Sequence, residues 1–185
     1  MKITGRNIKR RLYGLMNLPS DLKRARYFRG HGVHSPFVYN IVRQVFMCRE
    51  LKSDNHDLYD ALMQHNLPLK RCIQLQNLVA HCNYSTWSID CPTADVANYD
   101  MVIATIGTTP STLQAMAEVA IKNGTTLCII APAYDRERHT ACKSLVETHR
   151  CTSVDNRGYL LVGCVGEGSE ELLKKLDKKQ QQPGW

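Results

Sequence analysis

The sequence predicts an α/β domain built on a mostly parallel sheet and preceded by a helical region. Two apolar runs, residues 101–106 and 126–130, contain no charged residue and are typical of strands buried on both faces. Each run is followed by a segment of helical character, and the last two strands flank a hairpin turn over residues 155–158. This alternation favours helices on both faces of the sheet, and 185 residues suffice for one hydrophobic core.

The first 50 residues are expected to be helical around one irregular turn. Apolar spacing predicts a basic amphipathic helix over residues 3–16, and a second, shorter helix runs to about residue 29. Residues 29–37, Arg-Gly-His-Gly-Val-His-Ser-Pro-Phe, then form an open turn, because two glycines lie within three positions. Ser35 and Pro36 suit a helix start, since serine accepts a free backbone N–H and proline there loses no hydrogen bond. That helix is expected to end near Arg49.

The middle of the chain is expected to supply two helices and the first strand. A short helix is predicted over about residues 58–65, and Pro68 precedes a longer helix over about residues 69–81. Thr86-Trp-Ser-Ile-Asp90 predicts a short strand. After the run at 101–106, Pro110 opens a predicted helix that has Gly124 just past its end. The remaining predicted elements are a helix, two hairpin strands and a charged tail, over residues 136–147, 151–154, 159–165 and 170–181.

The net charge of +7 is concentrated at one end of the chain. Residues 1–50 hold 11 Lys/Arg and 2 Asp/Glu, a net charge of +9, whereas residues 51–185 hold 13 and 15, a net charge of −2. This asymmetry suits a nucleic-acid or other anionic partner, and it also suits a basic arm on an acidic body. No run approaches the roughly 20 apolar residues of a membrane span, and no apolar run follows the basic start as in a secretion signal. We therefore expect a cytoplasmic protein without membrane contact.

The eight cysteines are expected to be reduced, structural thiols. No pair has the C-x-x-C spacing that presents two ligands to one zinc ion. The nearest candidate ligands are His81, Cys82, Cys91, His149 and Cys151. Cys128 and Cys164 lie in apolar runs, where a free cysteine behaves as a small buried hydrophobic residue. We expect no metal site.

Residues 31–37, His-Gly-Val-His-Ser-Pro-Phe, resemble the opening of a bacterial subgroup of class I S-adenosylmethionine-dependent methyltransferases. In that subgroup a helical region with the segment H-G-x-H-S-P-F precedes the nucleotide-binding sheet. Residues 86–90 resemble the family's first strand, 100–106 its fourth, 124–130 its fifth and 151–165 its closing antiparallel hairpin. The resemblance implies a reduced Rossmann-like sheet of about five strands, of which three are parallel and two form a terminal hairpin.

The chain departs from this family at the positions that would bind the cofactor. The family has a glycine-rich turn after its first strand, which lets the backbone approach the cofactor, but Asp90-Cys-Pro-Thr-Ala94 contains no glycine. Two further strands have no counterpart, because only about eight residues separate Asp90 from Tyr99 and a strand–helix crossover needs about 10–12. The carboxylates that follow the family's fourth and fifth strands are also missing, at residues 105–107 and 129–132. Without these carboxylates, the chain lacks the obvious candidates for a metal ligand or a general base.

Asp90, Gly107 and Thr108 remain as candidate cofactor-binding residues, because ligands of open parallel sheets lie outside the carboxyl ends of the strands. The alternatives are that Asp90 caps a shortened strand and that Gly107 and Thr108 belong to an ordinary capped turn. His139 and Cys142 are three residues apart and could face one side of a helix. The sequence shows neither an orienting group nor an oxyanion site for a Cys–His nucleophile, so we assign no catalytic residue.

A second candidate site lies in the basic first 50 residues. Its members are Arg24, Arg26, Arg29, His31, His34 and Ser35. We expect this cluster to bind an anion, a phosphate or a partner, because Ser35 and the following helix start would contribute N–H groups. The alternative is that the two histidines hydrogen-bond the turn and fix how the helical region docks on the sheet.

We divide the chain into a basic helical region (1–83), a methyltransferase-like domain (84–168) and a charged tail (169–185). We predict a degenerate, non-catalytic methyltransferase-like protein without a cofactor, acting as a binding or scaffold module toward an acidic protein, RNA or a second copy of itself. One alternative is an S-adenosylmethionine-dependent methyltransferase with an atypical or partner-completed pocket, and another is a nucleic-acid-binding module. The loss of two strands leaves an edge at Trp87, which we expect the helical region or a second protomer to cover.

Overall fold

The computed structural model describes residues 36–148, 153–156 and 158–163, which divide into two compact units, one over residues 36–84 and one from residue 85 onward. The helices are α1 (Pro36–Ile41), α2 (Asp57–Gln64), α3 (Leu69–His81), α4 (Pro110–Asn123) and α5 (Arg136–Thr148). The strands are β1 (Trp87–Ile89), β2 (Met101–Ala104), β3 (Thr126–Ile130), β4 (Ser153–Asn156) and β5 (Tyr159–Val162). A π-helical turn (Val42–Phe46) follows α1, and a 3-10 helix (Thr93–Asn98) precedes β2.

In the first unit, α2 and α3 lie within one residue of their predicted bounds, because apolar spacing and end signals agree there. Both helices end at an asparagine in the left-handed conformation, Asn66 with φ 57° and Asn83 with φ 54°. The residue after each asparagine donates its N–H to a carbonyl five positions back, as Leu67 does to Leu62 at 3.2 Å and Tyr84 to Val79 at 3.0 Å. This arrangement satisfies carbonyls that the helix end would otherwise leave free.

The helix after Pro36 ends earlier than predicted. We expected it to continue to about Arg49, but it widens to π geometry after Ile41 and ends at Phe46. The buried side-chain amide of Gln74 on α3 donates to the Phe46 carbonyl at 2.6 Å. Asn77, one turn further along α3, binds the backbone on both sides of the next loop: Lys52 N–H at 3.0 Å and Glu50 carbonyl at 2.9 Å. These amides replace the hydrogen bonds that a longer helix would have made.

The second unit contains a five-stranded mixed sheet in the order β1-β2-β3-β5-β4. Strands β1, β2 and β3 pair in parallel, with Trp87 opposite Met101 and Met101 opposite Thr126. Strand β5 runs antiparallel to β3, and β4 closes the hairpin with Ser153 opposite Val162. The expectation of an α/β fold with three parallel strands and a terminal antiparallel hairpin is confirmed.

The connection from β1 to β2 contains no further strand, as expected from the few residues between Asp90 and Tyr99. It holds a six-residue 3-10 helix, which joins the two parallel strands. A 3-10 helix rises about 2.0 Å per residue, so it spans the return path with fewer residues than an α-helix. Its Val96 is fully buried in the core of the unit.

Helices α4 and α5 lie on the same face of the sheet, although the alternating pattern favoured helices on both faces. One buried cluster unites the two helices, the 3-10 helix and alternate residues of β2, β3 and β5. The strand order explains this, because β1, β2, β3 and β5 follow one another in a single direction across the sheet. Right-handed crossovers that all step in one direction place their helices on one face.

The ends of α4 follow the sequence signals, whereas the hairpin turn is shifted by one residue. The Thr109 hydroxyl accepts the Thr112 N–H at 3.2 Å at the start of α4, and Gly124 takes the left-handed conformation at its end, with φ 74°. The predicted turn comprised residues 155–158, but Asn156 pairs with Tyr159 across the hairpin.

Candidate functional site

The structure brings the three predicted cofactor-site residues Asp90, Gly107 and Thr108 to one place, at the carboxyl ends of β1 and β2. One Asp90 carboxylate oxygen accepts the Thr105 N–H at 2.8 Å and the Thr108 hydroxyl at 2.9 Å. The other oxygen accepts the Thr105 hydroxyl at 2.5 Å. A carboxylate offers about four acceptor positions, so three of them are occupied by the loop that follows β2. We call Asp90, Thr105 and Thr108 the aspartate–threonine cluster.

Asp90 takes a left-handed backbone conformation, with φ 50°. Its N–H donates to the Ile103 carbonyl at 2.9 Å, so the residue completes the β1–β2 ladder before the chain turns away. Aspartate tolerates this conformation better than most residues, because its short polar side chain can bond locally. Here that side chain bonds the neighbouring strand's loop, which supports the interpretation of Asp90 as the cap of a shortened strand.

Gly107 is exposed, and its surroundings leave room for a side chain. A Cβ at this position would lie 3.7 Å from the Thr105 hydroxyl oxygen, which is an ordinary van der Waals distance. Its backbone N–H donates to that hydroxyl at 3.3 Å. The loop therefore does not need glycine for a close backbone approach.

Arg138, which the sequence analysis did not single out, lies at the centre of the carboxyl edge. Its side chain is 3% exposed and donates to four backbone carbonyl oxygens at the ends of β2 and β3 and in the loop between β2 and α4. The shortest contacts are Nη1 to Thr108 O at 2.8 Å, Nη2 to Thr105 O at 2.8 Å and Nη2 to Ile130 O at 3.0 Å. Nε also donates to Ile130 O at 3.2 Å, and Nη2 lies 3.4 Å from Ala104 O. We call these four oxygens the carbonyl cage.

A sequence signal for Arg138 exists in the spacing of α5. The buried residues Ala141, Cys142 and Leu145 lie three, four and seven positions after it, which places Arg138 on the apolar face of the helix. A charged residue in such a stripe indicates a buried charge that must find partners. Asp135 caps the same helix start, because its carboxylate accepts the Arg138 N–H at 2.9 Å.

Two opposing effects act on the pKa of the Arg138 guanidinium at this edge. Burial lowers the pKa of the Arg138 guanidinium, while the negative charges of Asp135 and Asp90 act to raise it. The guanidinium nevertheless stays protonated at neutral pH, since arginine does not lose its proton in proteins. Asp90 thus contributes electrostatically to holding Arg138 as well as bonding the threonines.

His139 and Cys142 do not form a nucleophilic pair with a reactive thiol. Both side chains are buried on α5. Burial raises the pKa of Cys142 to about 11, against a lowering influence of Arg138. The thiol is therefore protonated at neutral pH, and the thiolate is the form that acts as nucleophile or metal ligand.

The carboxyl end of β3 carries a strained turn in place of an acid. Ala131 has a φ of 48°, a conformation that costs a residue with a Cβ roughly 1–2 kcal/mol. Its N–H donates to the Gly158 carbonyl at 2.8 Å, and its carbonyl accepts the Tyr134 N–H at 2.9 Å. These bonds fix the turn that leads to Asp135 and Arg138.

At the amino ends of β1 and β2, a second aspartate holds the edge strand. The Asp100 carboxylate accepts the Ser85 N–H at 2.7 Å, the Thr86 N–H at 2.8 Å and the Thr86 hydroxyl at 3.1 Å. Partial burial acts to raise the pKa of Asp100, but the hydrogen bonds from Thr86 and Ser85 outweigh it and the pKa is lowered. The three-residue strand β1 is thus fastened to its neighbour at both ends.

The remaining candidate residues are placed as follows. Among the described residues, no three His, Cys, Asp or Glu side chains converge as a metal site would require, and the six cysteines there, Cys82 and Cys91 included, form no disulfide bond. The predicted anion cluster lies outside the described residues, namely Arg24, Arg26, Arg29, His31, His34 and Ser35. No helix within the described ranges is long and apolar enough to cross a bilayer.

The chain matches no protein-family model, no curated protein and no solved structure. The resemblance to methyltransferases therefore stays a prediction, which rests on residues 31–37 and on the pattern of strands.

Proposed function

We propose that this chain is a non-catalytic, methyltransferase-like module that acts as a binding or scaffold protein. The observation that carries the proposal is the position of Arg138. Ligands of open parallel sheets lie outside the carboxyl ends of the strands, and this is where the guanidinium occupies the carbonyl cage. The edge that would receive a cofactor is filled by the chain itself.

The strand order supports the same proposal. In doubly wound sheets the ligand crevice forms at the point where the strand order reverses direction. The described parallel strands β1, β2 and β3 step in one direction, so no such reversal occurs among them. The reduced Rossmann-like sheet that the resemblance implies has lost the strands beyond β1 that would create one.

The chemistry of the edge adds a third line of support. The Asp90 carboxylate is bonded by Thr105 and Thr108, the Cys142 thiol is protonated, and Ala131-Pro132 stands where the family places a carboxylate. General acid–base catalysis needs a positioned group within hydrogen-bond reach of the substrate proton. The Asp135 carboxylate, which also lies near this edge, accepts the Arg138 N–H at 2.9 Å as the cap of α5.

Calorimetric titration of the full chain with S-adenosylmethionine and S-adenosylhomocysteine tests the proposal, with thermal shift as a second readout. We expect no binding heat and no shift at millimolar ligand. Binding at micromolar affinity would overturn the proposal and support a methyltransferase with an atypical pocket. Asp90→Ala would then abolish binding, whereas the control Asp95→Ala, on the 3-10 helix, would retain it.

For the scaffold role we propose an anionic partner that binds the basic first 50 residues. The net charge of +9 in this segment supports the proposal, because clustered Lys and Arg attract phosphates and acidic surfaces. Fluorescence anisotropy with single-stranded RNA and with an acidic peptide, at 50 and 200 mM salt, tests it. The Arg24→Ala/Arg26→Ala/Arg29→Ala variant should bind more weakly than a Lys122→Ala/Lys143→Ala control. Equal binding by the two variants would contradict the proposed surface.

A further inference from the structure

The carbonyl cage has the composition of a cation site. Four backbone carbonyl oxygens, from Ala104, Thr105, Thr108 and Ile130, converge on one positively charged group at distances of 2.8 to 3.4 Å. Three of them lie at or just past the ends of two parallel strands, and the fourth belongs to the loop that precedes α4. Buried carbonyl groups require donors, and here the Arg138 side chain donates to all four, although Thr105 O also accepts the Thr108 N–H at 3.3 Å.

The arrangement of the donors favours a guanidinium over an ammonium group. Nε and Nη2 both donate to Ile130 O, while Nη2 and Nη1 reach Thr105 O and Thr108 O on the other side. The acceptors are therefore distributed around three nitrogens that lie in one plane. A guanidinium holds five donors in such a rigid fork, whereas an ammonium group offers three donors from a single point.

The cage is also connected to the aspartate–threonine cluster. Thr105 and Thr108 give their carbonyls to Arg138 and their hydroxyls to Asp90. Arg138 thus holds the loop after β2 through the loop's carbonyls, and the Asp90 carboxylate holds the same loop through its hydroxyls. Displacement of Arg138 would remove a donor from each of the four carbonyls and weaken the hold on this loop.

We infer that the carboxyl ends of β2 and β3 form a guanidinium-selective cation site, which the chain fills with its own Arg138 and thereby closes to small ligands. The inference extends the proposed function of the same edge by naming the group that closes it and the chemical class that the edge recognises. An external guanidinium compound should enter this site when the arginine side chain is removed.

Chemical rescue of Arg138→Ala by methylguanidinium tests the site. We expect the variant to lose about 10 °C in Tm, because it leaves buried carbonyl oxygens without a donor and each such group costs about 1–3 kcal/mol. Methylguanidinium at low millimolar concentration should restore at least half of this loss in a saturable manner. Methylurea has a similar planar shape without the charge, and methylammonium has the charge without the fork, so neither should restore it. Arg136→Ala, an exposed arginine of the same helix, is the matched control and should respond to none of them.

A measurement on the unaltered chain covers the case in which Arg138→Ala does not fold. In protein labelled with 15N-arginine, one guanidinium should show slowly exchanging, separately resolved N–H signals, and Arg138→Lys should remove them. Absence of such signals, or rescue by methylurea or methylammonium to the same extent, would overturn the inference. Failure of the proposed function is a separate outcome, since it would appear as binding of S-adenosylmethionine by the unaltered chain.

Discussion

The aspartate–threonine cluster gives a quantitative prediction, because Asp90 combines three hydrogen bonds with a left-handed backbone. Asp90→Ala removes all three bonds and leaves a Cβ at φ 50°. At an exposed site each bond contributes somewhat under 1 kcal/mol, and alanine in this conformation adds about 1 kcal/mol of strain. We therefore expect a loss of about 3 kcal/mol in the free energy of unfolding.

Two further substitutions at Asp90 separate these contributions. Asp90→Gly also loses the three bonds, but glycine adopts positive φ freely, so this variant should be about 1 kcal/mol more stable than Asp90→Ala. Asp90→Asn keeps one side-chain oxygen, which can still accept from Thr105 N–H and the Thr108 hydroxyl. It should lose less than about 1 kcal/mol. A glycine variant that is more stable than the alanine variant reverses the usual order within regular structure, and this reversal is specific to a strained position.

Urea unfolding followed by the fluorescence of Trp87 measures the series, since this tryptophan lies in β1 next to Asp90. The second tryptophan, Trp185, is replaced by phenylalanine in all variants so that the signal reports on β1. With a slope of about 1–3 kcal/mol per molar urea, the alanine variant should shift its midpoint by at least about 1 M. An Asp90→Ala midpoint equal to that of the parent, or an alanine variant more stable than the glycine variant, would refute the reasoning.

Two other predictions concern the ends of the neighbouring strands. Ala131→Gly should stabilise the protein by up to about 1 kcal/mol in a thermal unfolding assay, because it relieves the strain at φ 48°. The control Ala115→Gly, at an exposed position inside α4, should destabilise the protein by about the same amount. If both substitutions destabilise equally, the strain at Ala131 is absent. Asp100 has a lowered pKa in the folded state, so its stabilising contribution is present above the ordinary aspartate pKa and is lost as the pH falls through the lowered value. Asp100→Asn should therefore flatten the dependence of unfolding free energy on pH below about pH 4, and an unchanged slope would contradict this.

The regular elements could be predicted from the sequence because local signals agree there. The apolar runs predicted β2 and β3, and Pro110 and Gly124 predicted both ends of α4. The early end of the helix at Phe46 could not be predicted, because it depends on a hydrogen bond from Gln74, 28 positions later. Local propensity contains no information about a partner at that separation.

The sequence predicted where the candidate site lies, but not which side chain fills it. The rule that ligands lie at the carboxyl ends of parallel strands led to Asp90, Gly107 and Thr108, and the structure places them together. The occupant of that edge, Arg138, was missed because a charged residue on a helix is expected at the solvent face. Its acceptors are backbone carbonyls 8 to 34 positions away, and carbonyl groups have no signature in a sequence.

The strand order also bears on how fast this sheet assembles. Each parallel strand pairs with the strand that precedes it in the chain, so that Trp87 meets Met101 and Met101 meets Thr126, with one short connection in each case. Proteins whose contacts join residues close in sequence fold faster than those that must first close long loops. A parallel sheet with inserted strands between β1 and β2 would have to close a much longer loop before that pair could form. By keeping neighbours in sequence as neighbours in the sheet, this unit avoids that longer loop closure, and we expect β1 and β2 to pair faster during refolding than they would in such a sheet.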